Sequence, residues 1–213
     1  MSEPETDVLV RILAPLALEA WAVRSGGAGL RVQRTGAGPD RAHRAAERIR
    51  REAVAGEPFA VVGLCGALDP GLRPGDVVVP DAVRMPDGTR EPLRPASVAA
   101  LRRVGIAPHA GLLVGADHVV RGAERAALAR ESGARVVDME TPWLVAALAP
   151  HPVTVLRVVL DAPGFELVRV GLLPALVRAL GRIRTIGSAL SQTLLEPVTG
   201  AAEAAPRAAS PWR

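Results

Sequence analysis

The sequence has no lysine and no tyrosine, one cysteine, two phenylalanines and three tryptophans in 213 residues. All 26 basic residues are therefore arginine, and against 22 acidic residues they leave a net charge of only +4. No basic run is interleaved with aromatic rings. With so few aromatics and so small a net charge the composition gives no signature of nucleic-acid binding, so no nucleic-acid partner is expected. The lone Cys65 excludes an internal disulfide framework and fits a reducing compartment. The N-terminus MSEPETDVLV is acidic and lacks a basic region followed by an apolar one, so no signal peptide is expected. No apolar run reaches the ~18–20 residues of a spanning helix. The expectation is a cytoplasmic protein, with contact at a membrane surface left open. His43, His109, His118 and His151 have no metal-ligand spacing, so no metal is expected. Ser132, Ser188 and Ser191 lie outside any G-x-S-x-G elbow, which argues against a serine hydrolase.

What the chain does have is apolar residues, 49% of the total, in short runs that alternate with helical patterns. Strands are expected in 8–16, 29–39, 59–67, 75–83, 109–120, 135–140 and 153–163. Helices are expected in 41–56, 97–105, 123–134, 141–150 and 166–195, with a helix start or turn at 17–24. Alternation of this kind defines an α/β domain with a parallel or mixed central sheet flanked by helices. One domain over 1–196 is expected, followed by a tail, 197–213, whose Ala, Pro and Gly content suggests disorder. In such sheets polar residues at the C-terminal strand ends face the ligand crevice. The small-residue turn 63–67, Asp117, Glu140 and Asp161 fall at such ends.

Three acids stand out. V-D-M-E, residues 137–140, ends one apolar strand with Asp138 and Glu140 on a shared face. V-V-L-D-A-P, residues 158–163, ends another with Asp161. Glu19 is the one acid in APLALEAWAV. Taken alone, Glu140 and Asp161 read first as helix caps or turn residues. Glu19 reads equally as an exposed helix position or as a buried carboxylate with a raised pKa, suited to act as a base. Two glycine segments, R-T-G-A-G-P at 34–39 and G-L-C-G-A-L-D-P-G-L-R-P-G-D at 63–76, are either tight turns or cradles for an anion. The second lacks the Gly-Lys-Ser/Thr ending of a P-loop. Cys65 has no partner motif and is expected to pack rather than react.

The order of LAPLALEA, GLCGALDPGLRPGD and VVDMETPWLVAAL followed by VLRVVLDAP resembles the purine nucleoside phosphorylase and nucleosidase superfamily over about residues 8–195. Within it the chain is most similar to the hopanoid-associated phosphorylase branch, which removes adenine from adenosylhopane. The resemblance implies a phosphorylase/hydrolase-like fold and cleavage of an N-glycosidic bond. It implies that Glu140 binds the ribose hydroxyls, Met139 packs under the sugar and Asp161 protonates the leaving purine at N7. Glu19 would activate water, Gly63, Leu64, Cys65 and Gly66 would line the nucleophile pocket, and Val119 and Val120 the base pocket. No cofactor is implied beyond water or phosphate as co-substrate, and the family forms homo-oligomers. An adenosyl lipid substrate would need an apolar groove or membrane face, for which 165–186, with Phe165, Leu167, Leu172, Leu173, Leu176, Leu180 and Ile183 among several arginines, is a candidate; a core helix with a solvated Arg face is the alternative. Leu64 and Val61 stand where phosphorylases carry a phosphate-binding Ser and Arg, the GDPxR motif is absent, Leu160 replaces a common Ser, and Val119 replaces an aromatic. A nucleosidase for methylthioadenosine or adenosylhomocysteine, and a catalytically weak binding member, are the competing readings.

Overall fold

The structure is a computed structural model, and it describes residues 10–164 and 172–193. Apolar alternation with a period of two sets the sheet. On β3 (Phe59–Ala67), Phe59 and Val61 join one core while Ala60 and Val62 join the other, as successive side chains of a strand must. β1 (Arg11–Ala14) and β9 (Val153–Asp161) flank the first half of β3 in parallel. β2 (Arg31–Arg34) extends the sheet beyond β1. The end of β3 pairs antiparallel with β8 (Val136–Asp138), next to β7 (Leu112–Gly115).

Helices cover both faces. α2 (Pro39–Glu52) and α5 (Thr141–Leu148) bury Ala42, Ala46, Ile49, Leu144 and Leu148 in the core that contains Phe59. α1 (Ala17–Gly26) and α6 (Leu172–Thr193) bury Ala22, Val23, Ile183 and Ile186 in the core that contains Val62, and α3 (Val98–Arg103) adds Leu101. α4 (Gly122–Ser132) ends at Gly133 in the left-handed conformation, φ 67°. The class is the expected one: a single α/β domain with a mixed sheet between helical layers.

Three local expectations are corrected. Residues 75–83 are not one strand: Pro80 breaks them into β4 (Val77–Val78), which pairs with β9, and β5 (Ala82–Arg84), which pairs with β7. A short edge strand, β6 (Arg90–Pro92), makes a hairpin with β5. Residues 63–67 are not a turn but the last part of β3, with a register shift opposite β9 between Cys65 and Gly66. Bulges of this kind re-aim side chains beside sites. Phe165, Leu167 and the tail 197–213 lie outside the described residues. Among those described, no helix is long and apolar enough to cross a membrane.

Candidate active site

The C-terminal ends of the central strands frame a cleft of about 260 Å³. Glu19, Leu64, Cys65, Gly66, Val119, Val120, Met139, Glu140 and Asp161 all line it. Of the residues carried over from the sequence resemblance, Gly63 alone is not on the wall. Its place is behind it: a Cβ there would overlap the Arg157 guanidinium and stand 3.0 Å from Glu19 Oε1. Gly63 is glycine because two buried charged groups meet over its backbone.

Glu19 is the buried carboxylate of the two readings from sequence, not an exposed helix position. It sits at the third position of α1, and its Oε2 accepts from Leu16 N at 2.6 Å, the backward half of a capping box. Its Oε1 accepts from Leu64 N at 2.8 Å. It is buried, and burial raises its pKa above the usual carboxylate value, partly opposed by the positive charge of Arg157.

The V-D-M-E acids divide the labour. Glu140 occupies the N-cap position of α5 but makes no cap bond. Asp138 makes it instead: its Oδ1 accepts from Thr141 N at 2.9 Å and from Glu140 N at 3.1 Å. That frees the Glu140 side chain, whose Oε1 accepts from Gly38 N at 2.9 Å. Burial, with Asp138 nearby, pushes the Glu140 pKa up to about 7. Both glycine segments thus cradle an anion, and in each case it is a carboxylate of this chain. Gly38 is held at φ 86°, where a side chain would be strained.

Arg157 offsets part of the negative charge at this end of the cleft. It is fully buried on β9 and pairs with Asp138 Oδ2 at 2.6 Å. Its Nη2 donates to Thr141 Oγ1 at 2.7 Å, and that hydroxyl is bonded to Asp138. Arg157 pairs with Gly63 and Asp161 with Gly66, and the register shift between them breaks the simple alternation along β9.

At the other end, Asp161 is buried beside a charged partner. Arg125 of α4 forms a buried ion pair with it. Arg125 was not foreseen. Its signal is positional: buried Arg125 and Ser132 lie seven residues apart, an inward-facing helical spacing, with Leu128 and Ala129 partly buried between them. Cys65, between the two ends, is a free buried thiol whose pKa burial drives upward, so it is a neutral packing group. His118, at the rim, is bracketed by Asp117 and Glu124, each at 2.6 Å, and these carboxylates raise its pKa.

The family model described as phosphorylase superfamily matches residues 18–169. The chain belongs to that superfamily. Among solved structures it is similar to a 5′-methylthioadenosine/S-adenosylhomocysteine nucleosidase from Neisseria meningitidis, with TM-score 0.72 and 19% identity over 86% of this chain and 98% of that one. It is also similar to an S-adenosylhomocysteine nucleosidase from Streptococcus pyogenes, with TM-score 0.74 and 17% identity over 89% and 99%. A futalosine hydrolase from Helicobacter pylori aligns at TM-score 0.68 and 15% identity over 87% and 96%. No curated protein sequence matches the chain.

Proposed function

We propose that this chain hydrolyses the N-glycosidic bond of an adenosyl compound and releases adenine. The observation that carries the reading is one cleft lined by Glu19, Glu140 and Asp161, in which amides that an anionic nucleophile would need already serve carboxylates, Leu64 N on Glu19 and Gly38 N on Glu140. Phosphate would meet Glu19, Glu140 and Asp138, while Arg157 is engaged by Asp138. Water fits such a pocket.

In this mechanism Glu140 binds the ribose hydroxyls, and its charge favours the positive ribosyl ring that develops as the bond breaks. Glu19 takes a proton from the attacking water, a role served by the upward shift that burial gives its pKa. Met139 packs under the sugar, and Val119 and Val120 contact the base. Asp161 protonates the purine at N7, since an adenine anion is a poor leaving group. Carboxyls and water move every proton, so no cofactor enters.

For the substituent beyond the ribose, α1 offers support for an apolar group. Leu16 lines the cleft, and Leu18 and Trp21 on the same helix are exposed. With GLCGALDPGLRPGD, this favours adenosylhopane, with membrane contact during its capture. The names of the solved neighbours favour a soluble thioether, methylthioadenosine or adenosylhomocysteine. A homo-oligomer is carried over from the resemblance and is checked by sedimentation.

The test is adenine release from adenosylhopane, methylthioadenosine and adenosylhomocysteine, each with and without phosphate. Free ribosyl product at a rate independent of phosphate is expected, with adenosylhopane preferred. A ribosyl phosphate product would replace water by phosphate. Adenine from none of the three would remove the enzyme reading.

A further inference from the structure

The acid at the base end of the cleft is held by a side chain from another element. Arg125 is 3% exposed, and its guanidinium reaches three partners. Nη1 donates to Ala67 O at 2.9 Å, at the end of β3. Nη2 donates to Val120 O at 3.2 Å, in the base-pocket loop, and to Asp161 Oδ2. The other Asp161 oxygen, Oδ1, lies over Gly66, where a Cβ would come within 3.0 Å of it. One arginine therefore ties the strand end, the base loop and the acid into a single unit on the cleft wall.

We propose that Arg125 is the positioning residue for base protonation: it fixes the Asp161 carboxylate on the cleft wall through Oδ2, and keeps Asp161 charged until a bound base loosens the pair. The proposal rests on the reading that Asp161 protonates the leaving base. As the pair loosens, Asp161 takes a proton from solvent. It passes that proton to N7 while the C1′–N9 bond breaks and its electron pair moves into the purine. Water supplies the hydroxyl to C1′, its proton goes to Glu19 and then to solvent, and Asp161 returns as a carboxylate to Arg125.

The consequence is visible in pH dependence. An acid that must be protonated makes kcat/KM fall as pH rises. A guanidinium against the carboxylate favours its charged form and sets that fall at lower pH, typically by ~1–3 units. Besides Arg125, the charged and titratable groups that line this cleft or pair with its lining, among the described residues, are Cys65 on β3, Asp138 at the end of β8, Arg157 on β9, Glu140 before α5, Glu19 on α1, and His118 with Asp117 and Glu124 at the rim. Cys65 stays neutral. Glu19 and Glu140 act in their charged forms and shape the rising limb. The Arg125 charge also acts on Cys65, where burial outweighs it.

The experiment is kcat/KM against pH for adenine release from methylthioadenosine by the full-length enzyme, Arg125→Gln and Arg125→Lys. Arg125→Gln is expected to move the falling limb up by about one unit or more. Arg125→Lys keeps the charge and should hold the limb within about half a unit of the parent, at a reduced kcat. A limb unmoved in folded Arg125→Gln, or moved equally in both variants, overturns the proposal. Should Arg125→Gln fail to fold, carboxyl carbon NMR of the parent, with Asp161 assigned by its loss in Asp161→Asn, decides. A charged Asp161 at neutral pH is expected and a neutral one overturns it. Full activity in Asp161→Asn would instead remove the acid role, whereas a dead Asp161→Asn with an unmoved limb removes only the role of Arg125.

Discussion

The two ends of the cleft solve the burial of charge differently. At the sugar end, three carboxylates, Glu19, Asp138 and Glu140, converge around one arginine, Arg157. The negative charge is in excess, and Glu19 and Glu140 respond with raised pKa values. At the base end, one carboxylate faces one arginine in the Asp161–Arg125 pair. An acid-rich end suits a step that binds hydroxyls and accepts a proton, and it resists anions. A balanced pair suits a group that must be held in place and released. The difference follows from position: the sugar-end acids come from three elements that meet at the cleft, whereas the Asp161–Arg125 pair joins the end of β9 to α4.

The strongest way to break this contrast is to remove the arginine that the sugar end shares. Arg157→Met leaves Asp138 buried and without its guanidinium. Breaking one side of a buried pair costs about 3–5 kcal/mol, so a large drop in the denaturant midpoint is expected. A midpoint within experimental error of the parent would mean that the sugar end does not depend on Arg157 for its charge.

The next effect is a stability that depends on pH. Glu140 holds its proton more tightly in the native protein than in the unfolded chain, since its pKa rises from 4.5 to about 7. Stability contributed by this group is therefore complete below pH ~4.5 and declines as pH rises through about 7. Glu140→Gln keeps an oxygen for Gly38 N and removes the titration. Relative to the parent, the variant should gain roughly 2–3 kcal/mol between pH 4 and pH 8, read from urea midpoints across that range, while losing activity. A constant difference across the range would contradict the excess-charge account.

Two glycines on one strand probe the two ends directly. Gly63→Ala drives a methyl into the Arg157 guanidinium and against Glu19 Oε1, both fixed by other partners. Gly66→Ala brings its methyl to 3.0 Å from Asp161 Oδ1 and 3.4 Å from Val137 Cγ1, tight contacts that small shifts relieve. Overpacking typically costs about 1–3 kcal/mol, and Gly63→Ala should fall at the upper end and Gly66→Ala at the lower. Melting temperatures in the reverse order would show the sugar end to be the looser one.

Sequence alone carries the local half of this architecture. Strand periodicity places β3 at its bounds and β9 to within two residues at its end, and Glu140 and Asp161 reach one cleft because strand ends converge there. What is not local stays hidden. β6 is formed by exposed Arg90, Glu91 and Pro92, which have no apolar alternation to betray a strand. The bulge at Cys65 and Gly66 depends on pairing with a strand that begins 87 positions after it, at Val153. The exchange by which Asp138 caps α5 and Glu140 turns to Gly38 needs two segments brought together from 102 residues apart. Arg125 is one arginine among 26, and only its inward helical position separates it from the solvated ones.

The smallest expected effect concerns the wall of the base end. Val119 lines the cleft and is 44% exposed, so a larger side chain has room there. Val119→Phe would add an aromatic face for the purine, worth about 0.5–1.5 kcal/mol beyond simple burial. A stack on the base is felt in the bound substrate and in the transition state alike, and uniform binding of this kind lowers KM while leaving kcat nearly unchanged. The expected result is a KM for methylthioadenosine lower by roughly 2–10-fold with kcat within a factor of about two. The same substitution should leave the pH profile in place, because it touches neither Arg125 nor Asp161. An unchanged KM would mean that the purine does not lie against Val119, and the base would then have to be seated on Val120 and Leu160 instead.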